Sequence, residues 1–377
     1  MGWNDVNAAF ESAVERRVFP GATVMVRVGR DVPFHGVYGH RTLIPEPAPL
    51  KFDTVFDLSS LTKVLATTMA VMALVRDGRL RLDDRVARFF PNFGVRGKSH
   101  ITFRNLLAHC SGLAAWRPFY QRVAEIEHGG RVNFMASDGA KQWVFEEIHR
   151  EKPEAPPGTK AIYSDLNFIV LGEAVEQITG VPLNRFCRDK IYREAGLRAT
   201  DFIDLSLARS RRLEPVREMF AATEVCPSRN RLLVGEVHDD NAYAMGGVCG
   251  HAGLFAPVAE VDRLAATLID AYHGRPSLFS QKIVAQFWKR DTMVAGSTWA
   301  LGWDTPSPQQ SSSGRYFSPR AVGHLGFTGT SLWIEPDAEI AVSILTNRVH
   351  PTRDNHAIRE FRPRIHDLIM EAISQRA

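Results

Sequence analysis

The stretch "TSLWIEPDAEIAVSILTN", residues 330–347, contains two runs of β-formers around Pro336-Asp337. That pattern predicts a hairpin near the C-terminal end. Its counterpart is "GATVMVRVGRDVPFHGVYGHRT", residues 21–42, where two β-rich runs flank Gly29-Arg30-Asp31. Between them the chain is mostly helical in pattern, and strand signals are scarce from about 80 to 220. "ITFRNLLAHCSG" (101–112) offers Thr102 as an N-cap, "AKQWVFEEIHRE" covers 140–151, and "LNFIVLGEAVEQITG" (166–180) stops at a glycine. "PLNRFCRDKIYREAGL" (182–197) and "PVAEVDRLAATLIDAYHG" (257–274) read as two more helices. A first helix precedes residue 21 and a last one spans about 355–375.

Strands at both ends and helices between them predict an α/β protein of the α+β type. One antiparallel sheet would be formed from both chain termini. The first helix, the helix after Ser60 and the last helix would cover it. Residues 1–78 and 260–377 would form this α/β sheet domain, and 79–259 a mainly helical domain inserted beside it. A site in the cleft between two such lobes is the default expectation.

Bulk properties narrow the function. The 377 residues are 45% hydrophobic and 23% charged, ordinary for a globular protein with a sizeable core. Net charge is only +4, and the densest basic run, "RSRRLEPVR" (209–217), has no interleaved aromatics, which argues against nucleic acid as a partner. Cys110, Cys187, Cys226 and Cys249 show no zinc-ligand spacing and read as free, buried thiols. No apolar run reaches membrane-spanning length. The N-terminus enters an amphipathic helix directly, with no signal-peptide pattern. A cytoplasmic location is therefore expected, with the periplasm open if a leader was removed.

The chemistry begins at "DLSSLTKVLATTMAVMALV", residues 57–75. Ser60 and Lys63 are one helical turn apart and share a face. The first turn of a helix offers free N–H groups and a positive dipole end, which suit an oxygen that becomes negative. A serine hydroxyl needs a neighbour to take its proton, and a lysine with a lowered pKa can serve. By composition alone about one chain in two would contain a Ser-x-x-Lys, so the pair is weak by itself. Its bland reading is a helix cap and a solvated lysine.

Two further motifs follow in order. "PGTKAIYSDLNFIVLG" (157–172) places Tyr163 in a loop just before a helix that Ser164 could cap. "VGHLGFTGTSLWIEP" (322–336) places His324-Leu325-Gly326 just before the second hairpin. The ordered set resembles the Ser-x-x-Lys, Tyr-x-Asn, Lys-Thr-Gly pattern of penicillin-recognising serine enzymes. More narrowly it is similar to the class C β-lactamase and D-Ala-D-Ala carboxypeptidase-like superfamily and its esterases, where the third motif is often His-x-Gly. "RLDDRVARFFPNF", "ITFRNLLAHCSGL", "GEVHDDNAYAMGGVCGHAGLF" and "ILTNRVHP" fit the same resemblance, which spans about residues 15–350.

That resemblance implies Ser60 as acylated nucleophile, Lys63 as the group that helps take its proton, and Tyr163 as partner acid or base. It implies an oxyanion hole from the backbone N–H groups of Ser60 and Phe327. Gly326 would let an edge strand approach the substrate closely, and Asp165, His324 and His238 would border the substrate. No metal or cofactor is required.

Two departures matter. Asp165 stands where the pattern has Asn. Facing Lys63, it would favour the protonated amine and shift the base role toward Tyr163; facing solvent, it would be a helix N-terminal acid. His324 replaces a lysine, and a neutral imidazole gives no permanent charge for a substrate carboxylate. The expected substrates are therefore esters or small amides and D-amino-acid peptides, with β-lactam hydrolysis weak or absent. Three rivals stay open: an efficient class C-type β-lactamase, a silent binding protein for cell-wall fragments, and a metal-dependent hydrolase using His238 and Asp239. His109 and His251 read as structural, while Trp116, Phe119 and Tyr120 either wall the pocket or pack elsewhere.

Overall fold

Both terminal hairpins form, and they join edge to edge. In the computed structural model, which describes residues 2–375, Gly21–Val28 pairs with Asp31–Thr42 on one side and with Ile340–Thr346 on the other. Ser331–Glu335 and then Val322–Leu325 continue the sheet, and Ala48–Pro49 closes its far edge. All six strands are antiparallel neighbours. The first hairpin turns at Gly29, whose φ of 59° suits glycine.

Directly opposed residues of antiparallel strands share a face. Val24 lies opposite Ile344 and Val26 opposite Val342, which in turn faces Trp333. These side chains are buried with Val6 and Phe10 of helix Trp3–Glu15 and with Ile365 and Ile369 of helix Ile358–Ser374. Gly323 is opposite Trp333, and a Cβ there would come within 2.3 Å of the indole. The other face carries Leu332, Ile334, Ala341 and Leu345 and joins the large core shared with the helices.

The cover of this second face differs from expectation. It is chiefly helix Val258–Tyr272, tied to the sheet by Arg27 Nε on both Asp262 carboxylate oxygens at 3.1 Å. The helix after Ser60 lies deeper, against helices Asp165–Thr179 and Gln281–Trp288. Every residue from Leu61 to Leu74 is buried, as an apolar surround demands. Its first part, Lys63–Thr68, is a π-helix, continued by α-helix Met69–Arg76. The widened turn leaves carbonyls for outside donors: Tyr192 Oη reaches the Leu65 carbonyl at 3.2 Å and Cys187 Sγ the Ala66 carbonyl at 3.8 Å.

In the middle region, Thr102 caps Phe103–Leu107 and Ser164 caps Asp165–Thr179, which ends on Gly180 at φ 71°. Leu183–Cys187 runs on into a π turn, Arg188–Tyr192. Helices Phe119–His128 and Gln281–Trp288 were not anticipated from the sequence. Nor was a small sheet in which Leu254–Ala256 pairs with both Phe56–Asp57 and Asp201–Phe202. Strands of two or three residues leave no periodic signal, yet this one anchors the chain just before Ser60. All four cysteines are buried free thiols. Among the described residues, no helix is long and apolar enough to cross a membrane.

Candidate active site

The turn before Ser60 is clamped from two sides. Asp57 accepts the N–H of Ser59 at 2.8 Å and that of His238 at 2.6 Å. Thr328 Oγ1 donates to the Asp57 carbonyl at 2.8 Å, and Thr330 Oγ1 to the Leu58 carbonyl at 3.0 Å. The loop after strand Val322–Leu325 is thereby fixed against the Ser60 turn. Gly326 is part of this clamp. A Cβ there would lie 1.9 Å from Thr330 Oγ1 and 2.6 Å from the Leu58 carbonyl oxygen. Close contact between two protein segments thus requires this glycine, which also lines the cleft.

Ser60, Lys63 and Tyr163 converge. Lys63 Nζ is 3.0 Å from Ser60 Oγ, and Tyr163 Oη is 2.9 Å from the same oxygen. Lys63 is fully buried, and its three ammonium donors each have an acceptor: Ser60 Oγ, the His251 carbonyl at 3.0 Å, and Asp165 Oδ1 at 2.8 Å. Asp165 therefore faces Lys63 rather than solvent. Burial pulls the Lys63 pKa down, but the charge and hydrogen bond of the Asp165 carboxylate, with Tyr163 assisting, outweigh it and hold the amine protonated. Burial raises the Tyr163 pKa, with Lys63 opposing, so the phenol also keeps its proton at neutral pH.

The Tyr163 loop is held by His109. Its carbonyl accepts the Ile162 N–H at 2.8 Å, and its Nδ1 accepts the Ser164 N–H at 3.0 Å. An accepting Nδ1 places the ring proton on Nε2. Ser164 Oγ adds a bond to the Ala114 carbonyl at 2.6 Å. The phenol ring packs on His109 (centroids 4.8 Å apart) and stacks on Trp299 at 5.4 Å. His251 is likewise structural, with Nε2 3.0 Å from Asp239 Oδ1.

His324 is opposite Leu332, so it shares the sheet face that meets the helices. Its Nδ1 is 2.8 Å from the Leu325 carbonyl, an acceptor, so Nδ1 carries the proton and Nε2 a lone pair. Burial first, and then Lys63, push its pKa down to about 3. The position gives no positive charge. The Phe327 N–H donates to Ser59 Oγ at 3.2 Å, and the Phe327 ring, 49% exposed, stacks on His238. His238 itself is buried, its Nε2 3.0 Å from Glu224 Oε2. It backs the cleft wall through Phe327 and Asp57. His238 and Asp239 turn to different partners, so they form no shared ligand set.

These groups line a cleft of about 690 Å³ that also includes Trp116, Trp299, Asp304, Arg348, Arg359 and Arg362. Trp116 is exposed on its wall; Phe119 is buried in the core and Tyr120 lines a different pocket. A larger groove of about 1090 Å³ in the helical region contains none of the three motifs.

The arginines were not singled out from the sequence. Arg348 donates only to main-chain carbonyls: Phe327 at 2.8 Å, and Arg353 and Asn355 at 2.9 Å. Arg362 donates to the carbonyls of Gly326 at 3.1 Å and Thr330 at 3.0 Å. Neither hydrogen-bonds a carboxylate, although Glu224 acts on Arg348 through space. Burial and Arg359 lower the Arg348 pKa, while burial and Arg348 bring that of Arg362 to about 10. Two guanidinium groups thus border Phe327, that of Arg348 lying 4.4 Å from the ring centroid.

Comparison with known proteins gives a consistent outcome. A family model described as Beta-lactamase matches residues 6–364. A Salmonella heidelberg protein with the provisional name D-alanyl-D-alanine carboxypeptidase is 33% identical over 334 residues, covering 83% of this chain and 74% of the relative. An Escherichia coli protein of the same provisional name is also 33% identical, with 73% of its length covered. Among solved structures, the hydrolase EstCE1, described as having promiscuous acyltransferase activity, superposes with a TM-score of 0.71 at 21% identity, covering 96% of this chain and 98% of its own. An octameric penicillin-binding protein homologue from Pyrococcus abyssi gives 0.73 at 19% identity, covering 98% and 78%. Both structural likenesses concern the fold.

Proposed function

From the premise that the chain belongs to the beta-lactamase family of serine hydrolases, we propose that it cleaves carboxylate-bearing acyl compounds through an acyl-enzyme at Ser60. One observation carries this reading: Ser60 Oγ is within hydrogen-bond reach of both Lys63 Nζ and Tyr163 Oη at the edge of the cleft. Ser60 Oγ attacks the carbonyl, and its proton passes to the Lys63–Tyr163 pair. The pair titrates as a unit, so its active form is the one lacking one proton, whichever atom loses it. The pair returns the proton to the leaving group, and water later releases the acyl group. The N–H groups of Ser60 and Phe327 hold the oxyanion.

Substrate class follows from charge. His324 is neutral, but Arg348 and Arg362 present guanidinium groups that have no carboxylate as hydrogen-bond partner. A carboxylate on the substrate would be such a partner. D-amino-acid peptides, the reaction class in the relatives' provisional names, fit that demand better than neutral esters do. The test pairs p-nitrophenyl acetate with a D-Ala-D-Ala peptide and a fluorescent penicillin. A covalent adduct on Ser60 and turnover lost in Ser60→Ala support the reading. Saturable binding of cell-wall fragments with no adduct and no turnover would make the protein a sensor instead.

A further inference from the structure

Of the hydroxyls that line the cleft, those of Ser59, Ser60 and Tyr163, the proposed chemistry leaves that of Ser59 unused, and it stands on the oxyanion donor. Its Oγ accepts the Phe327 N–H at 3.2 Å. The residue is buried, lines the cleft, and has a φ of 48°, in the left-handed region that favours glycine. Its main chain is pinned. Its N–H goes to Asp57 Oδ1 at 2.8 Å, and its carbonyl accepts the Thr62 N–H at 3.0 Å. The side chain alone is free to turn, about χ1.

We infer that Ser59 is a positioning residue that caps the oxyanion hole in the resting enzyme and yields it to the substrate. The inference rests on the proposed role of the Phe327 N–H. An amide carries a single proton, so one N–H cannot serve the Ser59 oxygen and a substrate oxyanion equally. Acylation requires the hydroxyl to rotate away and give up that bond. Until then, the cap gives the Phe327 N–H a protein partner. Its cost falls on every acyl donor, because each must displace it. Carbonyls that accept hydrogen bonds more weakly than a hydroxyl are held back in the ground state, while the negative oxyanion outcompetes the cap.

The test removes the hydroxyl while retaining the backbone. Ser59→Gly suits a φ of 48° and Ser59→Ala keeps a Cβ, so agreement between them isolates the oxygen. Ser59→Cys keeps a weaker acceptor. The probe is phenylboronic acid, which adds to a serine oxygen and places a boron-bound oxygen in the hole. Its Kd is measured beside kcat/KM for p-nitrophenyl acetate and a thermal melt. Loss of one competing neutral hydrogen bond is worth on the order of fivefold. The Ala and Gly variants should bind the boronic acid about fivefold tighter and acylate faster by a similar factor, with Cys intermediate. Unchanged or weaker binding in both variants would overturn the inference, and a weaker Kd would mean that Ser59 donates to the oxyanion. If the wild type neither binds the probe nor turns over ester, the Ser60 reading falls and this one with it. Failure of the Ser59 variants alone leaves the Ser60 reading standing.

Discussion

Asp165→Asn should make the enzyme faster at neutral pH. The Asp165 carboxylate is 2.8 Å from Lys63 Nζ, and its negative charge raises the pKa of Lys63 and also that of Tyr163. Removing that charge lowers the titration of the pair, whichever member acts as base. At 2.8 Å the Coulomb energy is about 1.5 kcal/mol in a water-like medium and about 6 kcal/mol at an effective dielectric constant of 20. Lys63 is fully buried, but Asp165 is 18% exposed, so the lower part of that range is the better guide. Roughly 1.5–3 kcal/mol corresponds to about one to two pH units. The sign follows directly. Activity rises with pH as the pair loses its proton, and the variant loses that proton at lower pH. The assay is kcat/KM against pH from about 5.5 to 9.5 for wild type and variant, corrected for spontaneous hydrolysis. The acid limb should move down by about one to two units, with a gain of tenfold or more at pH 7 and convergence at high pH. Asparagine keeps an oxygen for Lys63, so orientation is preserved. A limb that stays in place or moves upward would refute the argument, since the essential proton would then not belong to the Lys63–Tyr163 pair.

Three other outcomes follow from the geometry. Arg362→Ala should raise KM for a carboxylate-bearing peptide about 10- to 100-fold, the worth of one charge-assisted hydrogen bond, and leave p-nitrophenyl acetate nearly unaffected; equal losses on both substrates would argue for a packing role. Gly326→Ala forces a methyl against the Leu58 carbonyl, so thermal or denaturant unfolding should show a loss of about 1–3 kcal/mol, accompanied by loss of turnover as the strand moves off Ser60. Glu224 is a pH-dependent brace. Burial would raise its pKa, but hydrogen bonds from His238 and Arg353 outweigh that and bring it to about 2. Its contribution, about 3 kcal/mol, is therefore present above pH 4.5 and lost as pH falls toward 2. Glu224→Gln should be less stable at pH 7 and should lack that acid-induced loss in urea titrations.

The parts of the site that could be read in advance share one property: their signal is local. Ser60 and Lys63 are a helical turn apart, Ser164 caps the helix behind Tyr163, and the hairpins show a two-residue period that needs no knowledge of partners. The Asp165–Lys63 contact was conditional in the sequence, because a residue opening a helix can face inward or outward. Only the docking of helix Asp165–Thr179 against the buried Ser60 helix decides which. Ser59 was visible as a neighbour of Ser60, but its left-handed backbone depends on Asp57, whose own position depends on pairing with Leu254–Ala256.

The arginines show the limit most clearly. Arg362 is 302 positions from Ser60 in sequence, and no spacing rule connects them. It reaches the Gly326 carbonyl because the last helix packs on one face of the sheet whose edge strand leads into the His324-x-Gly326 turn. Judged by His324 alone, the cleft lacks the charge that a carboxylate needs. In three dimensions the charge is present, delivered from the Asn347–Arg348 loop and the terminal helix rather than from the strand. Main-chain carbonyls offset only part of the desolvation cost of a buried guanidinium, and an anionic ligand would offset more. Loss of a lysine at one position of the motif is therefore poor evidence against an anionic substrate whenever a fold brings a second basic element to the same mouth.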